Sequence, residues 1–109
     1  MDLIQLTEAT AEDRALGACC TLATADMPAR LKEWSDLRDR SLGIRQIQGG
    51  VSLELATSEP MSQVADLIAR ESECCAFYTF TLRIDGQARE LQITAGEGRE
   101  IAVQALLGV

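Results

Sequence analysis

The fold is read from the stretch Phe80-Thr81-Leu82-Arg83-Ile84-Asp85-Gly86-Gln87-Ala88-Arg89-Glu90-Leu91-Gln92-Ile93. Phe80, Leu82 and Ile84 alternate with polar residues, the period of a strand with one buried face. Asp85-Gly86 is a hairpin signal, and Leu91 and Ile93 resume the alternation on a returning strand. The same pattern occurs earlier in the chain. Val51, Leu53 and Leu55 alternate with Ser52, Glu54 and Ala56, so Ile44 to Gln48 and Val51 to Ala56 read as a second hairpin. Gly49-Gly50 between them forms a two-residue turn able to take positive φ.

Helical spacing fills the gaps between the hairpins. Asp26 reads as an N-cap with Pro28 in the first turn. Leu31, Trp34 and Leu37 follow at helical steps, and this helix ends near Ser41 or Gly43. Ser58 is expected to cap a second helix, with Pro60 in its first turn. Met61, Val64, Ala65 and Ile68 form its apolar stripe, which continues by helical steps to Ser72 and Cys75. Leu67, Glu71, Cys74 and Tyr78 lie on an adjacent stripe, and the helix is expected to end near Phe77. Gly96 and Gly98 break the chain before a terminal helix over Arg99 to Leu107. Ahead of all this, Met1 to Gly17 is a lead-in of weak pattern, in which Thr10 could cap a turn over Ala11 to Leu16. Ala18 to Thr24 reads as a short strand with Cys20 and Leu22 on one face and Cys19 on the other. The order is (β)αββαββα in one domain spanning 1–109. This is an α+β fold, an antiparallel sheet of four to five strands with two to three helices packed on one face.

Composition narrows the chemistry. The 109 residues include 10 Lys plus Arg against 17 Asp plus Glu, a net charge of −7. Lys32 is the single lysine, and the arginines are scattered among carboxylates, which argues against a nucleic-acid surface. The N-terminus has no basic and apolar regions of a signal peptide, and no run approaches the ~18 apolar residues of a membrane span. The expected compartment is the cytosol, where thiols stay reduced. There are 4 Cys and 0 His. No Ser–His–Asp triad, Cys–His pair or imidazole-ligated zinc can be built from such a chain. Thiol and carboxylate chemistry remains.

That chemistry is densest at Arg70-Glu71-Ser72-Glu73-Cys74-Cys75-Ala76-Phe77-Tyr78-Thr79-Phe80. On a helix Glu71 shares a surface with Cys74 and Cys75, three and four residues on. A carboxylate beside thiols opposes their ionisation unless a cation intervenes, and Arg70 is the nearest by sequence. Adjacent cysteines on a helix diverge by about 100°, so a further thiol from Cys20 or Cys19 would complete a site more naturally. Thiolates without imidazole suit a soft ion: Hg(II), Cu(I) or As(III), or Zn(II) if all four cysteines converge. Against this stands core packing, since free Cys is among the most buried residue types and Cys75 continues an apolar stripe. A strained vicinal or inter-segment disulfide is the third alternative, and neither pair forms a CxxC motif. Phe77, Tyr78 and Phe80 read as core where helix hands over to strand, as does Trp34 on its helix. Glu90, Glu97 and Glu100 read as solvated surface.

Cys20-Thr21-Leu22, the helix bearing Arg30, Glu33 and Trp34, and Glu71-x-Glu73-Cys74-Cys75-Ala76-Phe77-x-x-Phe80-x-Leu82 together resemble a group of small bacterial cysteine-pair proteins. That group is associated with mercury and heavy-metal resistance loci, in part with regulators of the mercury-regulator type. The resemblance spans roughly Cys20 to Leu106, and its specific part is the short Glu-Cys-Cys-x-Phe stretch. It implies that Cys20, Cys74 and Cys75 are the thiols of interest, with Glu71 beside them. Cys19 lies outside the shared pattern, and no DNA-binding helix-turn-helix precedes the segment, so a regulator's function does not carry over.

Three expectations follow. The first is a soluble protein that binds a soft metal ion, Hg(II) foremost and Cu(I) or Zn(II) as alternatives. Its ligands would be Cys20, Cys74 and Cys75, with Glu71 and Cys19 as further candidates and no obligatory cofactor. The second is an enzyme that cleaves organomercurials, the thiols holding the metal while Glu71 protonates the departing carbon. The third is an interaction domain whose cysteines are only core. Neither nucleic acid nor membrane is expected as a partner. A homodimer is left open, with Ala105-Leu106-Leu107 as an apolar segment available for it.

Overall fold

A computed structural model describes residues 26–109. The lead-in, the Ala11 to Leu16 turn, the Ala18 to Thr24 strand, and with it Cys19 and Cys20, lie outside the described residues. The described elements are α1 (Met27–Arg40), β1 (Gly43–Ile47), β2 (Gly50–Glu54), α2 (Met61–Cys74), β3 (Tyr78–Asp85), β4 (Ala88–Ala95) and α3 (Glu100–Leu107). The order αββαββα and the α+β class are those expected. The four strands form one sheet in the order β1-β2-β4-β3, every neighbouring pair antiparallel.

Cross-strand register explains the one-sided core. Val51 pairs with Ile93 and Leu53 with Leu91. Phe80 and Leu82 continue those rows on β3. Because side chains alternate in a strand, these residues share one face. All three helices pack there: Trp34 and Leu37 from α1, Val64 and Leu67 from α2, and Val103, Leu106 and Leu107 from α3 join one buried cluster. The opposite face is polar. There Glu90 accepts hydrogen bonds from Ser52 Oγ at 2.6 Å and Arg45 Nη2 at 3.1 Å. Glu90 is thus a bonded residue of the sheet rather than loose surface. Leu106 and Leu107 are fully buried within their own chain. The Ala105-Leu106-Leu107 segment therefore cannot serve as an interface, because the 3.6-residue period turns it inward.

Element boundaries differ from expectation at three places. The first hairpin turns at Gln48-Gly49, with Gly49 at φ 84°, while Gly50 is a paired strand residue opposite Ile47 and Thr94. A Cβ at Gly50 would run into the Ile93 carbonyl, so close backbone approach, not turn geometry, requires this glycine. At the start of α2, Pro60 and not Ser58 is the N-cap, and its carbonyl accepts from the N–H of Gln63 and Val64. The Glu59 N–H closes a turn on the Ala56 carbonyl at 3.0 Å just ahead of the helix, and its carboxylate is clamped by Arg40 through two bonds of 3.0 and 3.1 Å. Finally, α2 ends at Cys74, three residues before Phe77, and Cys75 is extended at φ −135°, ψ 99°.

Candidate metal centre

The early end of α2 makes the site. Cys75 N–H still donates to the Glu71 carbonyl at 2.8 Å, the last bond of the helix, but its own backbone is extended. The divergence of adjacent cysteines on a continuous helix no longer applies. Glu71, Cys74 and Cys75 each offer a ligand atom, and these atoms lie within 4.8 Å of one another. All three residues are buried: Glu71 is 2% exposed, Cys74 7% and Cys75 0%.

Helix α1 supplies the other half. Its apolar stripe packs Trp34 against the sheet, where the indole stacks on Phe80 with ring centroids 5.5 Å apart and planes 8° from parallel. From that seat Trp34 Nε1 donates to Glu71 Oε1 at 2.8 Å. One turn earlier, Arg30 Nη1 donates to the same oxygen at 3.2 Å and to Cys74 Sγ at 3.3 Å. Glu71 Oε2 is left 3.8 Å from Cys74 Sγ. Burial works against the Arg30 charge, but its bonds to Glu71 and Cys74 outweigh that and hold the guanidinium above its ordinary value. A cation in contact with sulfur would stabilise a thiolate once its proton had left, the form that binds metal.

The cation nearest in sequence is not the one in place. Arg70 turns outward and forms a two-pronged pair with Glu33, 2.9 and 2.8 Å, and a third bond to Asp66 at 2.8 Å. Arg30 lies 41 residues from Glu71 and meets it only because α1 packs beside the end of α2. Local spacing gives Arg30 no role and Trp34 only a core one, although both stand on the helix that carries the family resemblance. The usable signal was that Arg30 and Trp34 stand four apart on one helix surface. Trp34 is indeed core, fully buried, and also a donor to the site.

Of the five expected ligands, the structure brings together Glu71, Cys74 and Cys75. Cys20 and Cys19 are outside the described residues. The reading of the aromatic cluster as core holds. Tyr78 is buried with its hydroxyl donating to the Ala102 carbonyl at 3.0 Å, and Phe77 and Phe80 pack half-buried against the same core. Cys75 belongs to that core cluster as well as to the ligand group. Among the described residues no helix is long and apolar enough to cross a membrane. No protein-family model, curated protein or solved structure matches this chain.

Proposed function

We propose that the protein captures a soft divalent heavy-metal ion, Hg(II) foremost, between the sulfurs of Cys74 and Cys75. The observation that carries this reading is the buried Glu71–Cys74–Cys75 group with its ligand atoms within 4.8 Å of one another. Metal–sulfur bonds of about 2.3 Å span sulfurs about 3.8 Å apart in tetrahedral geometry and about 4.6 Å apart in linear geometry. The 4.8 Å bound on the ligand atoms is compatible with both spacings. Charge supports a dication. With Cys20 as a third thiolate and a thiol proton taken up by Glu71, three thiolates against Arg30 and a divalent ion sum to zero, and a buried site tolerates little residual charge. With Cu(I) the same groups would keep a net negative charge.

Glu71 enters as an acceptor. Its Oε1 already takes two N–H bonds, and its Oε2 faces the Cys74 sulfur. That position suits receiving a thiol proton as the metal binds. Cys20 is proposed as the third thiolate. The first turn of α1 lies at the site through Arg30, and Cys20 precedes the Asp26 cap by six residues, a stretch able to extend about 20 Å.

The test is a titration with Hg(II) under reducing conditions against a competing thiol, read by the fluorescence of the one tryptophan. Trp34 is bonded to Glu71 and should respond. Stoichiometric binding that is lost in Cys74→Ser plus Cys75→Ser and weakened in Cys20→Ser is expected. Binding no tighter than micromolar, or full binding by the double serine variant, would return the cysteines to core packing alone.

A further inference from the structure

We propose that the outer edge of β1 is the seam of a homodimer, in which two copies join their sheets antiparallel about a two-fold axis at Ile44. The inference is independent of metal capture and rests on hydrogen-bond parity, exposed apolar residues and charge complementarity.

β1 is an edge of the four-stranded sheet, and among the described residues no strand pairs with its outer side. Parity shows which backbone groups face outward. Ala95 N–H donates to the Gly49 carbonyl and Leu55 N–H to the Arg89 carbonyl. Odd-numbered β2 residues therefore bond toward β4, and even-numbered ones toward β1. Gly50, Ser52 and Glu54 pair with Ile47, Arg45 and Gly43, so these three β1 residues point their N–H and C=O groups inward. Ile44 and Gln46 are left with N–H and C=O on the open edge. An edge of this kind is a template for another strand unless charge, proline or a bulge blocks it. The only charge on β1 is Arg45. The edge is irregular at its start, where Leu42 N–H bonds the Glu54 carbonyl although Gly43 is the residue paired with Glu54, so the free donors of the seam are those of Ile44 and Gln46.

Arg45 selects the register. A two-fold axis at Arg45 would set two guanidinium groups directly opposite one another, which is unfavourable. With the axis at Ile44, Ile44 bonds reciprocally to the Ile44 of the second copy, and Arg45 lies opposite Gly43 of that copy. Gly43 carries no side chain, and the Glu54 carboxylate lies over it, 3.8 Å from where a Cβ would be. Arg45 keeps its Nη2 bond to Glu90 of its own chain at 3.1 Å, and its remaining guanidinium N–H groups would then meet the Glu54 of the other copy, twice by symmetry. On the helix-bearing face the same register brings the two Ile44 side chains together. Ile44 is 46% exposed and Val109 57%, and both border a shallow hollow of about 310 Å³ with Val51 and Gln104. Leu42, 65% exposed, lies at the end of the seam.

The seam is on the opposite edge of the sheet from β3, which follows the cysteines, so the copies do not share a metal centre. Sedimentation equilibrium of the full chain, metal-free and under reducing conditions, tests the proposal. A mass of twice one chain at about 100 μM is expected, unchanged by Hg(II). Ile44→Lys and Gln46→Pro should each weaken association by at least about tenfold with an unchanged circular dichroism spectrum. Arg45→Glu should do the same, and adding Glu54→Arg to it should restore the dimer. A wild-type monomer throughout, a dimer that persists in Ile44→Lys, or no rescue by the charge exchange would overturn the proposal.

Discussion

Replacing Arg30 with Met keeps the length and the apolar stem of the side chain and deletes the guanidinium. Two bonds disappear at Nη1, 3.2 Å to Glu71 Oε1 and 3.3 Å to Cys74 Sγ. Removing one partner of a buried ion pair costs roughly 3–5 kcal/mol, and single bonds to charged groups contribute about 1.5–3 kcal/mol. Two features place this case at the lower end. Trp34 Nε1 remains on the same oxygen at 2.8 Å, and the Arg30 side chain is itself 12% exposed, so water can partly replace it. The expected loss is about 2–3 kcal/mol. With a urea slope of roughly 1–1.5 kcal/mol/M for a chain of this size, the midpoint falls by about 2 M. Urea unfolding of the metal-free, reduced protein measures it. A cycle with Glu71→Gln assigns the loss to the pair, because the double variant should recover about 1–2 kcal/mol relative to additivity. A single-variant loss below about 0.5 kcal/mol, or strict additivity in the cycle, would refute the account of Arg30 as the charge partner of the site.

Gly50→Ala should prevent folding or cost more than about 3 kcal/mol, because the added methyl meets the Ile93 carbonyl and neither strand can yield; Gly96→Ala, where no atom lies within 4 Å, is the tolerated control, and comparable soluble yields of the two would contradict the packing. The bond from Arg70 holds the Glu33 carboxyl below its ordinary 4.5, so its contribution is present above about that pH and is lost as the pH falls through the lowered folded value. The Glu33 side chain is 43% exposed, so the contribution stays below about 1 kcal/mol, and the gap in urea midpoint between wild type and Glu33→Gln should close in acid.

The parts of the fold governed by local periodicity could be read directly from the chain. Val51, Leu53 and Leu55, like Leu91 and Ile93, alternate because one face of each strand is buried. Leu31, Trp34 and Leu37 recur because one helix face is. What escaped the reading depended on contacts between residues distant in sequence. Gly50 looked like a turn residue and is a strand residue because β4 presses on it from 43 positions away. Ser58 has the chemistry of a cap, but it falls in a turn closed by Glu59 N–H on the Ala56 carbonyl, and α2 starts after Pro60. Arg70 is the nearest cation along the chain, whereas among the described residues Arg30 is the cation bonded to the site. Glu71, Cys74 and Cys75 were legible as a group because they are local, whereas their partners on α1 were not.

The convergence of two adjacent cysteines is a consequence of where α2 stops, and the residues that follow explain why it stops there. Tyr78 must enter β3 opposite Ala95 with its hydroxyl on the Ala102 carbonyl, and Phe80 must sit under the Trp34 ring. A helix continued to Phe77 would leave no residues in which to turn from α2 into that strand. The chain breaks at Cys75 instead, and the break redirects one thiol while the other stays on the helix beside Glu71 and Arg30. The same Phe80 supports the Trp34 that holds Glu71. The carboxylate is thus braced from the sheet through Trp34 and from α1 through Arg30, while both sulfurs are fixed by one turn of backbone. A group positioned by strand register and helix packing together is preorganised, and an ion bound there would order little else.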